Sequence, residues 1–224
     1  GRRNIINAID LSSLGLDKIE EDEGGFRIGC MATLHDIETH EGLNKEFQNL
    51  FKEAVRHIVG VQFRNCATIG GSIFPKLGFS DVLTAFLACD TQVILYKKGE
   101  VPLREFIYIP TDNDILTHLY VKKDGRKTAY ESFRMTETDF PTITCAMAKT
   151  QDGFETVLGA RPKHAEVVVD EVVADAFSSE EVADYAKRVI GKLQYGSNIR
   201  GSEQYRKQLS KVLIGRCISR LTEE

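Results

Sequence analysis

Groups that could handle an anion are concentrated between Val61 and Asp81, where the chain runs VQFRNCATIGGSIFPKLGFSD. Within it, Thr68-Ile69-Gly70-Gly71-Ser72 holds the chain's only Gly-Gly pair with hydroxyl residues on both sides. Two successive residues without side chains let the backbone take φ > 0 and bring N–H groups against a ligand, as phosphate-binding loops do. The Thr68 and Ser72 hydroxyls can donate to phosphate oxygens. Gly-Gly also makes plain turns, so on local grounds the stretch is either an anion or nucleotide loop or a turn. The other pair, Gly24-Gly25, follows Asp17, Glu20, Glu21, Asp22 and Glu23, which would repel phosphate; it fits a hairpin turn, and the acidic cluster a solvated hairpin rather than a metal site.

Thiol and metal chemistry have less to stand on. Cys30, Cys66, Cys89, Cys145 and Cys217 are far apart and odd in number, with no C-x-x-C and no nearby His at metal spacing. They are expected as reduced thiols in a cytoplasmic protein, and their spacing suits no familiar [2Fe–2S] cluster. His57 lies beside an apolar stripe and fits a half-buried packing residue better than a ligand. A net charge of −4, from 29 basic and 33 acidic residues, gives no electrostatic reason to expect nucleic acid or an anionic membrane as partner. The apolar runs fall far short of the roughly 18 residues needed to cross a bilayer, and no apolar leader follows Arg2-Arg3. A chain of 224 residues, 42% hydrophobic and 28% charged, is long enough for one large or two small soluble domains. No internal repeat is visible.

The elements that must position the Gly-Gly stretch follow from periodicity and punctuation. A short strand is expected over Asn4 to Leu11, a turn at Ser12 to Leu16, and a hairpin from Ile19 to Cys30. Thr33 is a candidate N-cap for a short helix to about Glu38. A longer helix is expected from about Asn44 to Val59, with Leu43, Phe47, Leu50, Phe51, Ala54 and Ile58 on its buried stripe; it runs out at Gly60 and leads into the Gly-Gly stretch. Ser80-Asp81 suits an N-cap for a helix over Val82 to Ala88. Strands are expected at Gln92 to Tyr96, Val101 to Leu103 and Asp114 to Val121. The charged turn Lys122 to Lys127 marks a boundary, giving domains 1–122 and 123–224. Beyond it, strands are expected at Tyr130 to Met135, Ile143 to Thr150 and Glu155 to Ala160, the second and third joined at the Gln151-Asp152-Gly153 hairpin signal, and Val167 to Val169 can add a fourth. Two helices close the chain, one capped at Ser179-Glu180-Glu181 and one over about Ser202 to Leu221 that buries Tyr205, Leu209, Val212, Leu213, Cys217 and Leu221. Without regular strand–helix alternation, this is an α+β pattern.

Three stretches carry a resemblance to a known family. Arg64-Asn65-x-Ala67-Thr68-Ile69-Gly70-Gly71-Ser72, followed by Ser80-Asp81, resembles the second flavin-binding signature of the FAD subunits of molybdenum hydroxylases, the xanthine dehydrogenase and carbon monoxide dehydrogenase group. Arg27-Ile28-Gly29-Cys30-x-Ala32-Thr33-Leu34 is similar to that family's R-I-G-A-x-x-T segment. Ser197-Asn198-Ile199-Arg200-Gly201-Ser202-Glu203-x-Tyr205-Arg206 is similar to its C-terminal S-D-x-R-x-S-x-x-Y-R segment. The stretches fall in the family's order and span nearly the whole chain.

The resemblance implies a two-domain FAD-binding fold of the vanillyl-alcohol oxidase and CO dehydrogenase flavoprotein type, with a C-terminal domain of a small antiparallel sheet packed on helices. Carried over residue by residue, Ala67, Thr68, Ile69, Gly70, Gly71, Ser72 and Ser80 would bind FAD, and Asp81 would hydrogen-bond the cofactor's polar chain. Ile58 and Val59 match positions that pack on the cofactor, and Leu116 matches a leucine near the flavin ring. No catalytic acid, base or nucleophile is implied, because the cofactor carries the redox step. The molybdenum cofactor (molybdopterin) and the [2Fe–2S] clusters would belong to an iron–sulfur subunit and a molybdenum subunit, with NAD or another carrier as electron acceptor. Three departures stand out. The family's A-G-G-T-D-type loop would lie upstream of Gly1; Ser72 stands where the family usually has Asn; and the basic residue expected near the entry of the C-terminal domain aligns with Glu131, leaving Arg134 as a substitute flavin contact. Two functions follow: an FAD-dependent, xanthine dehydrogenase-like electron-transfer subunit, or an assembly module of the same fold that has lost FAD binding. Arg200, Arg206 and Arg216 are expected on the exposed face of the last helix or at a partner subunit.

Overall fold

The computed structural model describes residues 8–110, 113–172 and 177–222. Two antiparallel sheets organise the chain. The first has the order β1-β2-β5-β3-β4, from β1 (Ile19–Glu21), β2 (Gly25–Gly29), β3 (Thr91–Leu95), β4 (Gly99–Pro102) and β5 (Leu116–Lys122). The second is a meander of β6 (Lys127–Phe133), β7 (Ile143–Thr150), β8 (Gly153–Gly159) and β9 (Glu166–Asp170). This is the α+β architecture, and the change of sheet falls between Lys122 and Lys127.

Seven short helices accompany the first sheet: α1 (Leu34–Thr39), α2 (Glu41–Glu46), α3 (Leu50–Val55), α4 (Val61–Arg64), α5 (Ile69–Ile73), α6 (Asp81–Leu87) and α7 (Leu103–Phe106). Two longer ones, α8 (Ser179–Gly191) and α9 (Glu203–Thr222), cover the second sheet. The first core joins β2, β3 and β5 to α1, α3 and α6, and it reaches the second sheet through Tyr130, Ala146 and Val157. The second core lies on that sheet's other face, where Ile143, Cys145 and Met147 meet Tyr185, Val189, Ile214 and Cys217. With both faces covered, β7 reads as a nearly continuous buried run, ITCAMAKT, instead of alternating. Each large side chain buried this way contributes about 1.5–3 kcal/mol.

Several expected elements differ. Residues 4–7 of the expected first strand lie outside the described residues, and Ala8 to Leu11 form no strand. The helix expected from Asn44 to Val59 is two helices, α2 and α3, parted by Gln48 and Asn49 in the left-handed region at φ 46° and 63°. The cause is tertiary. Gln48 Oε1 accepts from the backbone N–H of Thr128 at 2.6 Å, Phe47 O accepts from its hydroxyl at 2.6 Å, and Asn44 Oδ1 caps Lys52 N at 3.0 Å, so side chains and β6 replace the helical bonds. The α8 cap is Ser178, one residue before the expected position, in a capping box with Glu181. Tyr205 and Val212 of α9 are exposed, and Arg206 and Ser210 turn inward instead.

Arg206 explains that rotation. It is 1% exposed, and its Nε donates to Thr142 O at 2.9 Å and Ala160 O at 3.1 Å, while its terminal nitrogens reach the carbonyls of Gly196 and Gly201 and the Asn198 side chain. It is therefore neither on an exposed face nor available to a partner subunit. Arg200 pairs with Asp139 at 3.0 Å, and the largely exposed Arg216 lies 3.8 Å from Glu131.

Candidate functional site

The Gly-Gly stretch is held from beneath by the segment leading into α1. An isolated bridge joins Thr33 to Thr68, Leu34 N donates to Ala67 O at 2.9 Å, Ile69 N to Ala32 O at 2.9 Å and Gly70 N to Cys30 O at 2.8 Å. Neither Gly70 nor Gly71 takes a positive φ; both lie in α5, whose N-cap Thr68 accepts from Gly71 N at 3.2 Å. The glycines are there for close approach. A Cβ at Gly70 would stand 2.8 Å from Cys30 Cβ and from Cys30 O, whereas at Gly71 it would meet only Thr68 Oγ1 at 3.1 Å and otherwise project into open space. Ile69, expected to line the cofactor, points into the core at 0% exposure, and its N–H is engaged, so it acts by anchoring the turn. Ser72 Oγ donates to Thr68 O at 3.0 Å.

The next segment closes against this turn. Ser80 caps α6 by accepting from Leu83 N at 3.0 Å and donates to Ser72 O at 3.2 Å. Asp81, in the first turn of α6, is buried and accepts on Oδ1 from Tyr130 Oη at 2.5 Å and from Arg134 Nη2 at 2.6 Å. Burial raises the Asp81 carboxyl above its usual value, against the opposing pull of Arg134 and of the Tyr130 hydroxyl. Burial, reinforced by the Asp81 charge, raises Tyr130 well above the usual phenol range. Glu131, where the family pattern has its basic residue, takes Arg220 at 2.7 Å.

Two depressions flank α5. The larger, about 390 Å³, gathers Ile58, Val59, Ala67, Thr68, Gly71, Ser72, Ser80, Asp81 and Arg134. The smaller, about 280 Å³, is lined by Thr68, Gly70, Gly71 and Leu116 with Cys30, Met31 and Phe74. Leu116 and Arg134, both expected near one ring, thus line different depressions, with Thr68 and Gly71 common to the two. Val59 sits at the rim of the larger one, β-branched yet at φ 50°, a strained conformation of the kind that clusters at ligand sites. It is held by Arg64, which donates to Ile58 O at 3.2 Å and pairs with Glu38 at 2.8 Å. Burial, followed by the charges of Arg56 and Arg134, lowers the pKa of His57, which also lines this depression.

Two aromatics were not foreseen from sequence. Phe79 and Phe140, both lining the larger depression, form a tilted pair 4.3 Å apart between centroids, and the Arg200 guanidinium lies over Phe140 at 5.1 Å. Each belongs to a loop with no periodicity to single it out. The site holds apolar walls, hydroxyls, one buried ion pair and an open space at Gly71. Among the described residues no nucleophile stands hydrogen-bonded to a base within it. Among the described residues no group of His, Cys, Asp and Glu is placed to hold a metal ion, and no helix is long and apolar enough to cross a membrane. A ligand reaching both depressions would pass over Thr68 and Gly71.

Comparison with known proteins bears on what that ligand is. The family described as the FAD binding domain in molybdopterin dehydrogenase matches residues 2–121. The glyceraldehyde dehydrogenase medium chain of Sulfolobus acidocaldarius is 27% identical over 223 residues, covering 92% of this chain and 79% of the relative. The uncharacterized protein YgfM of Escherichia coli (strain K12) is 24% identical over 215 residues, covering 92% and 77%. Among solved structures, carbon monoxide dehydrogenase from Hydrogenophaga pseudoflava superposes with a TM-score of 0.81 at 22% identity, covering 92% of this chain and 78% of that one.

Proposed function

The chain belongs to the family of FAD-binding domains of molybdopterin dehydrogenases, and from that premise we propose that it is the FAD-holding electron-transfer subunit of a cytoplasmic, xanthine dehydrogenase-like molybdenum hydroxylase complex. The chemistry supplied by the bound cofactor is an electron relay, from the molybdenum cofactor and [2Fe–2S] clusters of partner subunits to NAD or another acceptor. Residues of this chain bind and orient it. Thr68, Gly70, Gly71 and Ser72 present the turn along the cofactor's polar linker, with Ala67 beside them and Ile69 as the buried anchor. Ile58 and Val59 supply apolar wall on one side of the turn and Leu116 on the other. Ser80 fixes the turn to α6, and Asp81 places Arg134. Residues 1–122 would form the FAD-binding domain and 123–224 the C-terminal domain, whose share of the site is Arg134 and the loop carrying Phe140.

The observation that carries this function is the convergence of nine of the residues expected at the cofactor on one depression that Gly71 leaves open. The test is cofactor uptake by the full chain. It should bind FAD with a flavin absorbance band, and at ~100 times the dissociation constant FAD should stabilise it by about 2.7 kcal/mol, a rise in melting temperature of roughly 5–11 °C. A colourless chain with no thermal shift on adding FAD would refute the proposal and favour an assembly module.

A further inference from the structure

Arg134 is a cation with a spare donor. Its side chain is 6% exposed; Nη1 donates to Asp139 O at 3.1 Å and Nη2 to Asp81 Oδ1 at 2.6 Å, while the buried Nε meets no acceptor among the described residues. An N–H left unsatisfied in a protein interior costs about 1–3 kcal/mol, and more on a charged group. Such a donor, on a side chain lining the larger depression, is suited to an acceptor that arrives with a ligand.

The surroundings define that acceptor. Asp81 already occupies the Nη2 edge of the guanidinium, so a phosphate, with its full charge localised on oxygens beside that carboxylate, is a poor match, whereas a single charge spread over a ring system is repelled far less. Ile58, Phe63, Leu77, Phe79 and Phe140 make the walls apolar and in part aromatic. A planar, uncharged heterocycle with a carbonyl or ring nitrogen on its edge fits both conditions. Of the two depressions flanking α5 this is the larger, which favours the bulkier of the two rings of FAD.

Resting on the cofactor assignment above, we propose that Arg134 reads the isoalloxazine edge: its Nε–H donates to a carbonyl or nitrogen of that ring, and the guanidinium, anchored by Asp81, binds the ring more tightly once reduced. When the ring gains two electrons from a reductant and one proton from solvent, one negative charge is left to face the guanidinium.

The assignment is tested on the full chain with Arg134→Met, Arg134→Lys and the charge-neutral pair Arg134→Met with Asp81→Asn, whose folding is checked by circular dichroism. Riboflavin and ADP serve as probes of the two halves of FAD, and the two-electron midpoint potential of bound FAD is measured by dithionite titration. Arg134→Met should weaken riboflavin and leave ADP binding unchanged, and a tenfold loss of preference for the reduced ring should lower the potential by about 30 mV. The double variant should reproduce both effects if the single one folds poorly. Arg134→Lys, which keeps the charge but not the planar donor, should hold most of the potential while losing part of the riboflavin affinity. Weakened ADP binding with riboflavin unchanged, or an unaltered potential in the folded Met variants, would overturn the assignment. A wild-type chain that binds neither FAD nor riboflavin fails the cofactor assignment itself and takes this one with it.

Discussion

Gly71→Val separates the binding role of the turn from its structural role. The native φ at Gly71 is not positive, so the backbone accepts a side chain, and the only atom a Cβ meets within 4 Å is Thr68 Oγ1 at 3.1 Å. Giving way there weakens the Thr68 cap, a loss of about 1 kcal/mol. That corresponds to a fall of roughly 2–4 °C in melting temperature for a chain of this size. The ligand side is harsher, because the valine methyls enter the space shared by both depressions. Overfilling a fitted site costs about 1–3 kcal/mol, which is roughly five- to 150-fold in affinity for FAD. Absorbance titration of FAD, with thermal melts read by circular dichroism, measures both quantities. Gly70→Ala is the control, since its methyl would stand 2.8 Å from Cys30 Cβ and Cys30 O and should unsettle the fold itself. A Gly71→Val chain that binds FAD as tightly as wild type would refute the placement of the turn against the cofactor.

Three other outcomes are expected. Asp81→Ala leaves Arg134 buried without its carboxylate and should cost about 3–5 kcal/mol, read as a shifted urea midpoint; an unchanged midpoint would refute the buried pair. Arg206→Met strips donors from the carbonyls of Thr142, Ala160 and Gly196, and at about 1–3 kcal/mol per unsatisfied carbonyl should destabilise the chain by several kcal/mol, with amide exchange rising around those carbonyls; wild-type protection there would contradict it. For Glu38, burial is outweighed by hydrogen bonds from Arg64 and His35, holding its pKa below the ordinary 4.5. The stabilisation it contributes is therefore fully present above pH 4.5 and is lost as pH falls through the lowered value. The gap in unfolding free energy between wild type and Glu38→Gln should narrow only below that pH, and parallel profiles would count against it.

Many strands and caps were legible from local determinants, though the α8 cap fell one residue earlier than expected, at Ser178, and Ala8 to Leu11 form no strand. The Asp152-Gly153 hairpin, the Ile19 to Cys30 hairpin, the Thr33 and Ser80 caps and β7 follow from residues adjacent in sequence. The break between α2 and α3 was not legible, because its partner Thr128 lies 80 residues beyond Gln48 and nothing near Gln48 announces it. Gly70 and Gly71 looked like residues chosen for φ > 0, yet they serve contact distance, a property of Cys30 and of the empty space beside Thr68. Arg206 was misplaced because charge alone points to solvent, whereas carbonyls from four separate residues draw it inward. Arg134 was located by sequence, but its pairing with Asp81 required the two sheets to be brought together.

Thr68 and Gly71 line both depressions. A ligand that fills both sides would be shaped like a dumbbell, with its bar over Gly71. Each lobe alone would then bind weakly, while their covalent union raises affinity by about a hundred- to ten-thousand-fold with no new contact. Selection at such a turn would act on connectivity, discriminating an intact two-ringed nucleotide from an equimolar mixture of its halves.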